Sequence, residues 1–237
     1  MSWASRLLTV DWLLLYLALA PGLALALYFY WRDKHEKEPA GLLILCFLLG
    51  ALMCFPAAIW NTSAFSLFDF DLMGSNGLVV SFFMAFFVVG FGEEFCKYLV
   101  LVKYPFKKPS FNEPFDGIIY SVMISLGFAS LENVDYVMQG GVEVALLRMV
   151  TAVPMHAAYG VLMGYYVGLA RFQHPGARAG TCRKGLLVAA VFHGGYDFFL
   201  FQNVSLLLML LVFPVMIYAA FLSRRSMREH LDRSPFQ

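Results

Sequence analysis

Acidic residues and a lysine interrupt an apolar stretch that is long enough to be a helix in a membrane. The segment GFGEEFCKYLVLVK contains Glu93, Glu94 and Lys97. At about 100° per residue, Glu93 and Lys97 fall on one helical face, where their charges can neutralise each other, and Glu94 points elsewhere. A charge near the bilayer centre costs roughly 2.5–3.5 kcal/mol on an insertion scale, so such residues persist where they are paired or functional.

Three later apolar segments carry polar groups of the kind that act in hydrolysis. FASLEN contains Glu132 and Asn133, PMHAAYG contains His156, and HGGYD places His193 and Asp197 four residues apart, on one helical face. Peptide hydrolysis needs a nucleophilic water, a group that takes its proton, and positive charge or hydrogen-bond donors where the oxyanion forms. These segments contain residue types for each role.

The two adjacent glutamates are the candidates for proton transfer. In a low-dielectric site both carboxylates are not fully ionised, so one of them can carry and release a proton. We expect Glu94 to be the general base and Glu93 its partner, with Lys97 holding Glu93. Glu93 with Lys97 can also be read as a purely structural ion pair.

A divalent metal such as zinc is the second expectation. Glu132, His156 and His193 are the predicted donors, because zinc takes mixed nitrogen and oxygen ligands and leaves a position open for water. Asp197 is a further ligand or the acceptor that fixes the imidazole of His193. No second lysine or arginine is expected within the spans to balance these acids, which favours a metal.

Two alternatives remain open at this point. Without a metal, Glu94 and a histidine would activate the water while His193 and its neighbour polarise the carbonyl; the chain has no HExxH signature to decide between the mechanisms. His156 also has a structural interpretation, since small residues spaced four apart form a helix-packing face around it. Those residues are Ala152, Gly160, Gly164 and Gly168.

Membrane helices must position all of these residues. The chain is 60% hydrophobic and 14% charged, and its mean hydropathy is +0.69, which predicts an all-α, polytopic transmembrane helix bundle. A formal net charge of +1 gives no basic surface for nucleic acid. We predict one integral-membrane domain, 1–237, whose motif-bearing core covers about 77–202. Seven apolar runs are its predicted spans: 12–31, 41–60, 77–102, 115–138, 144–170, 184–202 and 204–222.

The basic residues predict the orientation of the bundle. Lysines and arginines cluster in alternate connections, which face the cytoplasm by the positive-inside rule. The N-terminus is therefore expected outside and the C-terminus in the cytoplasm. Arg148 is one of the few exceptions, and it is expected at the end of a span.

Four motifs in order on successive predicted helices resemble the PrsW family of intramembrane proteases. They are GEEFCK as EExxK, FASLEN as FxxxEN, the histidine of PMHAAYG, and HGGYD as HxxxD. YFYWRDKHEKEP and EPFDGIIY extend the resemblance over about residues 28–200. The family is distantly related to CAAX prenyl endopeptidases and bacteriocin-processing membrane proteases. Here Lys97 replaces an arginine at a shorter spacing and Glu132 replaces a histidine, which favours PrsW.

The resemblance implies a function, a partner and a location. PrsW proteins perform site-1-type cleavage of membrane-anchored regulators such as anti-sigma factors, usually in a bacterial inner membrane. The expected partners are such a substrate and the lipid bilayer. A function of another class, a proton- or ion-coupled transporter, could use the same buried network, but the internal symmetry typical of transporters is not detectable in the sequence.

Overall fold

The structure is a computed structural model that describes residues 11–72, 74 and 76–236. Within these residues the regular structure is helical and contains no strand, which confirms the all-α class. The α-helices are α1 (Trp12–Arg32), α2 (Ala40–Leu67), α3 (Leu78–Phe83), α4 (Phe91–Lys103), α5 (Pro114–Val150), α6 (Ala152–Arg171), α7 (Pro175–Phe201), α8 (Leu206–Met209) and α9 (Val212–Leu231). A π-helix, Met84–Gly90, joins α3 to α4, and a 3-10 turn, Pro105–Lys107, follows α4.

Five helical stretches are long and apolar enough to cross a membrane. They are Trp12–Arg32, Ala40–Leu67, Leu78–Lys107, Pro114–Arg171 and Leu206–Leu231. The fourth contains both α5 and α6, and α7 lies outside the five. The last two predicted runs are separate helices, because α7 ends at Phe201 and α8 begins at Leu206. These stretches show that the chain is an integral membrane protein. The count of seven spans and the orientation of the termini stay predictions.

Helix α5 is the centre of the bundle, and α6, α2 and α1 pack around it. The side chain of Asp116 begins the helix by accepting the backbone N–H groups of Asn112 and Glu113, each at 2.8 Å. Helix α6 approaches closely through glycines: a Cβ added to Gly117 would lie 2.6 Å from the Cα of Gly168. The predicted packing face is therefore confirmed, and it places His156 inside the bundle, 3% exposed.

Helix α5 is broken at Gly141, whose φ of 71° and ψ of −162° lie outside the helical region. In an unbroken helix, residues 133 and 148 would be about 22 Å apart. The Nε atom of Arg148 instead lies 2.7 Å from Oδ1 of Asn133. The chain therefore turns back at Gly141, a conformation that favours glycine, and Arg148 returns into the bundle.

The π-helix precedes the two adjacent glutamates. At its last residue, Gly90, an added Cβ would lie 2.7 Å from the backbone nitrogen of Gly194 in α7. The indole of Trp60 donates a hydrogen bond to the carbonyl oxygen of Val88 at 3.1 Å, which fixes the π-helix against α2. This close approach brings the first turn of α4 beside His193 of α7.

Candidate active site

Lys97 binds both adjacent glutamates in the interior of the bundle. Its Nζ lies 2.6 Å from Oε1 of Glu94 and 3.9 Å from Oε2 of Glu93. The three residues are at most 3% exposed. The predicted ion pair between Glu93 and Lys97 is therefore present, whereas the expectation that Glu94 points elsewhere is wrong. Residues three apart on a helix are neighbours as much as residues four apart, and here the i,i+3 pair is the tighter one.

His193 links α7 to both glutamates. Its Nδ1 lies 2.9 Å from Oε1 of Glu94, and its Nε2 lies 3.8 Å from Oε2 of Glu93. Asp197, one turn later, has its Oδ2 3.4 Å from Nε2, as the i,i+4 spacing predicts. The ring of Tyr159 stacks on the imidazole with centroids 4.7 Å apart. His193 is thus held on one face by an aromatic ring and at both nitrogens by acids.

His156 connects the lysine to a third glutamate. Its Nδ1 lies 3.0 Å from Nζ of Lys97, and its Nε2 lies 3.1 Å from Oε2 of Glu132. The ammonium of Lys97 also sits over the ring of Phe128, 4.3 Å from its centroid, which favours the cation. His156 and His193 are close, with ring centroids 5.1 Å apart. The structure thus brings together residues from α4, α5, α6 and α7.

Glu132 has a second cation that the sequence analysis missed. Nη2 of Arg148 lies 2.8 Å from Oε2 of Glu132, while Asn133 accepts from Arg148 and donates to the carbonyl of Ala18 at 2.8 Å. The prediction that no further lysine or arginine balances the buried acids is therefore wrong. Arg148 was assigned to a span end because the turn at Gly141 was not recognised. The sequence did contain a signal for this role: Arg148 does not fit the alternation of basic and non-basic connections.

A second missed residue is Asn61, whose Nδ2 donates to Oε1 of Glu93 at 3.0 Å. The predicted run ended at residue 60, whereas α2 continues to Leu67 and so carries Asn61 into the bundle. The signal was a polar residue directly after an apolar run with no helix-terminating residue between them.

A cavity of about 630 Å³ lies beside this network. Glu93, Glu132 and Asn61 line it together with apolar residues such as Phe55 and Phe128. Glu94 does not line the cavity and is 0% exposed. The volume is within the range of sites that bind small molecules or short segments of a ligand. Of the two adjacent glutamates, Glu93 is therefore the one that faces the space a substrate can enter.

Among the described residues, one group of three side chains brings metal-ligating atoms together: Glu93, His156 and His193, with one such atom of each within 4.8 Å of the others. Oε2 of Glu93 is buried and has no hydrogen-bond partner in the part of the chain that the structure describes. Lys97 and His193 lie 3.9 and 3.8 Å from it, so this oxygen can still take a cation at closer range. Both nitrogens of His156 already have partners, so a metal would replace one of those contacts. The predicted donors Glu132 and Asp197 are outside the group.

Buried carboxylates and imidazoles beside a cavity, within apolar helices, fit a hydrolase that works inside the membrane as one class of protein. The comparisons give the family. Residues 38–222 match the model described as PrsW family intramembrane metalloprotease, and the chain belongs to that family. No solved structure matches the chain.

Bacterial relatives cover most of the chain. Protease PrsW of Bacillus subtilis (strain 168) is 36% identical over 200 residues, which is 84% of this chain and 88% of the relative. Protease PrsW of Halalkalibacterium halodurans is 34% identical over 226 residues, 93% and 99% of the two chains. Protease PrsW of Clostridioides difficile (strain 630) is 30% identical over 191 residues, 78% of each. The chain is thus a membrane protease, as the motifs predicted, and the transporter alternative has no support.

Proposed function

We propose that this protease cuts a membrane-anchored protein substrate, such as an anti-sigma factor, in a bacterial inner membrane. The observation that carries the proposal is the meeting of Glu93, His156 and His193 next to a cavity inside the bundle. The peptide bond of a substrate segment in that cavity would lie within reach of Glu93. The similarity to bacterial PrsW proteases supports the location.

We assign the metal to Glu93, His156 and His193 rather than to the donor set expected from the sequence. Two nitrogen donors and one carboxylate are a ligand set that zinc and similar ions accept. When bound, such an ion supplies Lewis acidity that activates water and polarises the carbonyl. Glu132 would then orient the imidazole of His156 through the hydrogen bond described above, as carboxylates around metal sites commonly do. Asp197, whose Oδ2 lies 3.4 Å from Nε2 of His193, would add negative charge beside the ion.

Glu94 remains the proposed general base in the presence of the metal. Its Oε1 is held by Lys97 and His193. Its Oε2 is buried, has no hydrogen-bond partner in the described part of the chain, and is the atom left to take a proton. Lys97 positions this carboxylate and places positive charge near the developing oxyanion. Without a metal, Glu93 would be the base, because it faces the cavity.

Substituting each glutamate separates these roles. In purified protein reconstituted into vesicles with single-pass substrates, Glu94→Gln is expected to abolish cleavage and keep metal content near one ion per chain. Glu93→Gln is expected to lose both, because a site that loses a donor binds the ion less tightly. Glu143→Gln, at an exposed position, is the matched control and should behave as the wild type.

Metal removal tests the assignment independently. A chelator such as phenanthroline is expected to inactivate the enzyme and added zinc to restore it, with His156→Ala and His193→Ala lowering metal content. Asp197→Asn should be milder, with a loss of roughly 10–100-fold in affinity or activity. Full activity in a metal-free preparation would reject the metal. If Glu93→Gln were then inactive and Glu94→Gln active, Glu93 would be the base.

A further inference from the structure

A groove of about 620 Å³ lies between the end of α1 and helix α9, away from the active site. Four arginines line it: Arg32 from α1, and Arg224, Arg225 and Arg228 from α9. Tyr28 and Phe221 also line the groove. Two helices that are distant in sequence therefore contribute to one basic surface.

Among the residues that the structure describes, no carboxylate pairs with the arginines of this groove. Within the same residues, Nε of Arg32 is buried without a hydrogen-bond partner. Arg233, just beyond α9, does form an ion pair with Glu229, at 2.9 Å. Like charges held together repel one another unless an anion enters between them. The groove is thus suited to an anionic ligand.

The other end of the groove is apolar and continuous with the outer surface of the bundle. Tyr28 is 45% and Phe221 is 58% exposed, and both belong to stretches apolar enough to cross a membrane. Leu27 and Ile217, nearby on the same two helices, are also exposed. A soluble anion would use only the arginines. A phospholipid would use both ends, with its phosphate at the arginines and its acyl chains along the apolar residues.

We propose that this groove binds the phosphate headgroup of an anionic phospholipid such as phosphatidylglycerol. Arginine forms paired, charge-assisted hydrogen bonds with phosphate oxygens, and basic pockets between membrane helices are typical sites for anionic headgroups. A bound lipid would join α1 to α9 at one end of the bundle. This binding is independent of the proteolytic reaction.

The test compares two variants that lose the same charge. R224Q/R225Q/R228Q removes three arginines of the groove, and R178Q/R183Q/K184Q removes three basic residues of α7 outside it. Native mass spectrometry and thermal unfolding of the full chain in detergent would be measured with dioleoyl phosphatidylglycerol and with phosphatidylcholine. Wild type and the α7 variant should retain phosphatidylglycerol and gain thermal stability from it. The groove variant should bind on the order of 100-fold more weakly.

Three outcomes would overturn the proposal. Equal losses in both triple variants would show a general charge effect, and equal binding of phosphatidylcholine would show that the phosphate environment is not selective for anionic lipid. Equal stabilisation by inorganic phosphate would assign the groove to a soluble anion. Should the groove variant fail to fold, Arg32→Gln is compared with Arg183→Gln, because Arg32 lines the groove from α1 and Arg183 lies outside it. Arg32→Gln should weaken phosphatidylglycerol binding and Arg183→Gln should not.

Discussion

Two groups of buried acids in this protein are neutralised in different ways. Around the active site, Lys97 and Arg148 lie within 2.6–2.8 Å of glutamates, and two histidines complete the network. Where the α1–α2 connection meets the start of α5, four acids are at most 3% exposed: Asp33, Glu38, Glu113 and Asp116. We call these four the acidic cluster. Within the described part of the chain, none of them forms an ion pair with a lysine or arginine.

The acidic cluster is stabilised by hydrogen bonds and by protonation of a carboxyl group. Nζ of Lys37, the nearby cation, donates to the backbone carbonyls of Tyr30 and Asp33 instead of to a carboxylate. Glu38 is hydrogen-bonded to the hydroxyl of Tyr120. Burial, reinforced by the charge of Asp116, raises the pKa of Glu38 to about 9, so this carboxyl carries a proton at neutral pH. In the active site the acids are paired with cations, whereas in the acidic cluster Glu38 is neutralised by a proton.

The largest expected effect comes from removing Lys97, one of the two cations of the active site. Lys97→Met should destabilise the protein by about 3–5 kcal/mol, because it leaves two carboxylates buried without their counter-charge. Lys37→Met is the matched control at the acidic cluster and should cost far less, since Lys37 is exposed and its ammonium contacts backbone carbonyls and the ring of Tyr30 rather than a carboxylate. Thermal unfolding in detergent measures both. Equal destabilisation would show that the two groups of acids do not differ in this way.

The next effect is the pH dependence at the acidic cluster. The pKa of Glu38 rises from 4.5 to about 9 on folding, so the folded protein keeps a proton that the unfolded chain releases within that range. The stability from this group is therefore complete below pH 4.5 and is lost as pH rises towards 9. Asp33, whose burial raises its pKa to about 6, adds to the loss at lower pH.

Glu38→Gln should flatten this dependence. Its melting temperature is expected to fall less than that of the wild type between pH 6 and pH 9, the upper limit being set by the pKa of Glu38, because the amide has no proton to release. Glu229→Gln, in an ion pair at the surface, is the control and should follow the wild type. An unchanged slope in Glu38→Gln would mean that Glu38 is already ionised in the folded state.

The smallest effects come from two buried tyrosines, one in each region. The hydroxyl of Tyr120 contacts Glu38 and lies 2.8 Å from Oγ of Ser110, so Tyr120→Phe should cost about 1–3 kcal/mol by leaving buried groups unpaired. The hydroxyl of Tyr159 is buried and has no hydrogen-bond partner among the described residues. Tyr159→Phe should leave the melting temperature unchanged or raise it slightly. A larger loss in Tyr159→Phe than in Tyr120→Phe would contradict this contrast.

The sequence predicted the helices and the site residues better than it predicted their pairing. Apolar runs and the small-residue face of α6 follow directly from periodicity. Whether Lys97 pairs more tightly with Glu93 or Glu94 does not, because both spacings share a helical face. The side-chain rotamers decide, and partners on other helices such as Asn61 and His193 fix them. Arg148 was missed for a different reason: two consecutive glycines do not reveal that Gly141 reverses the chain. Contacts between distant helices depend on such turns.

The π-helix at Met84–Gly90 has a consequence for the length of the polypeptide. A π-helix closes its hydrogen bonds over one residue more than an α-helix does. Loss of one residue here, for example the exposed Phe87, would let the segment become α-helical while Glu93 keeps its direction. Loss of one residue between Glu94 and Lys97 would instead rotate the lysine by about 100° away from its partners. A one-residue deletion should thus be tolerated within the π-helix and should abolish activity between Glu94 and Lys97.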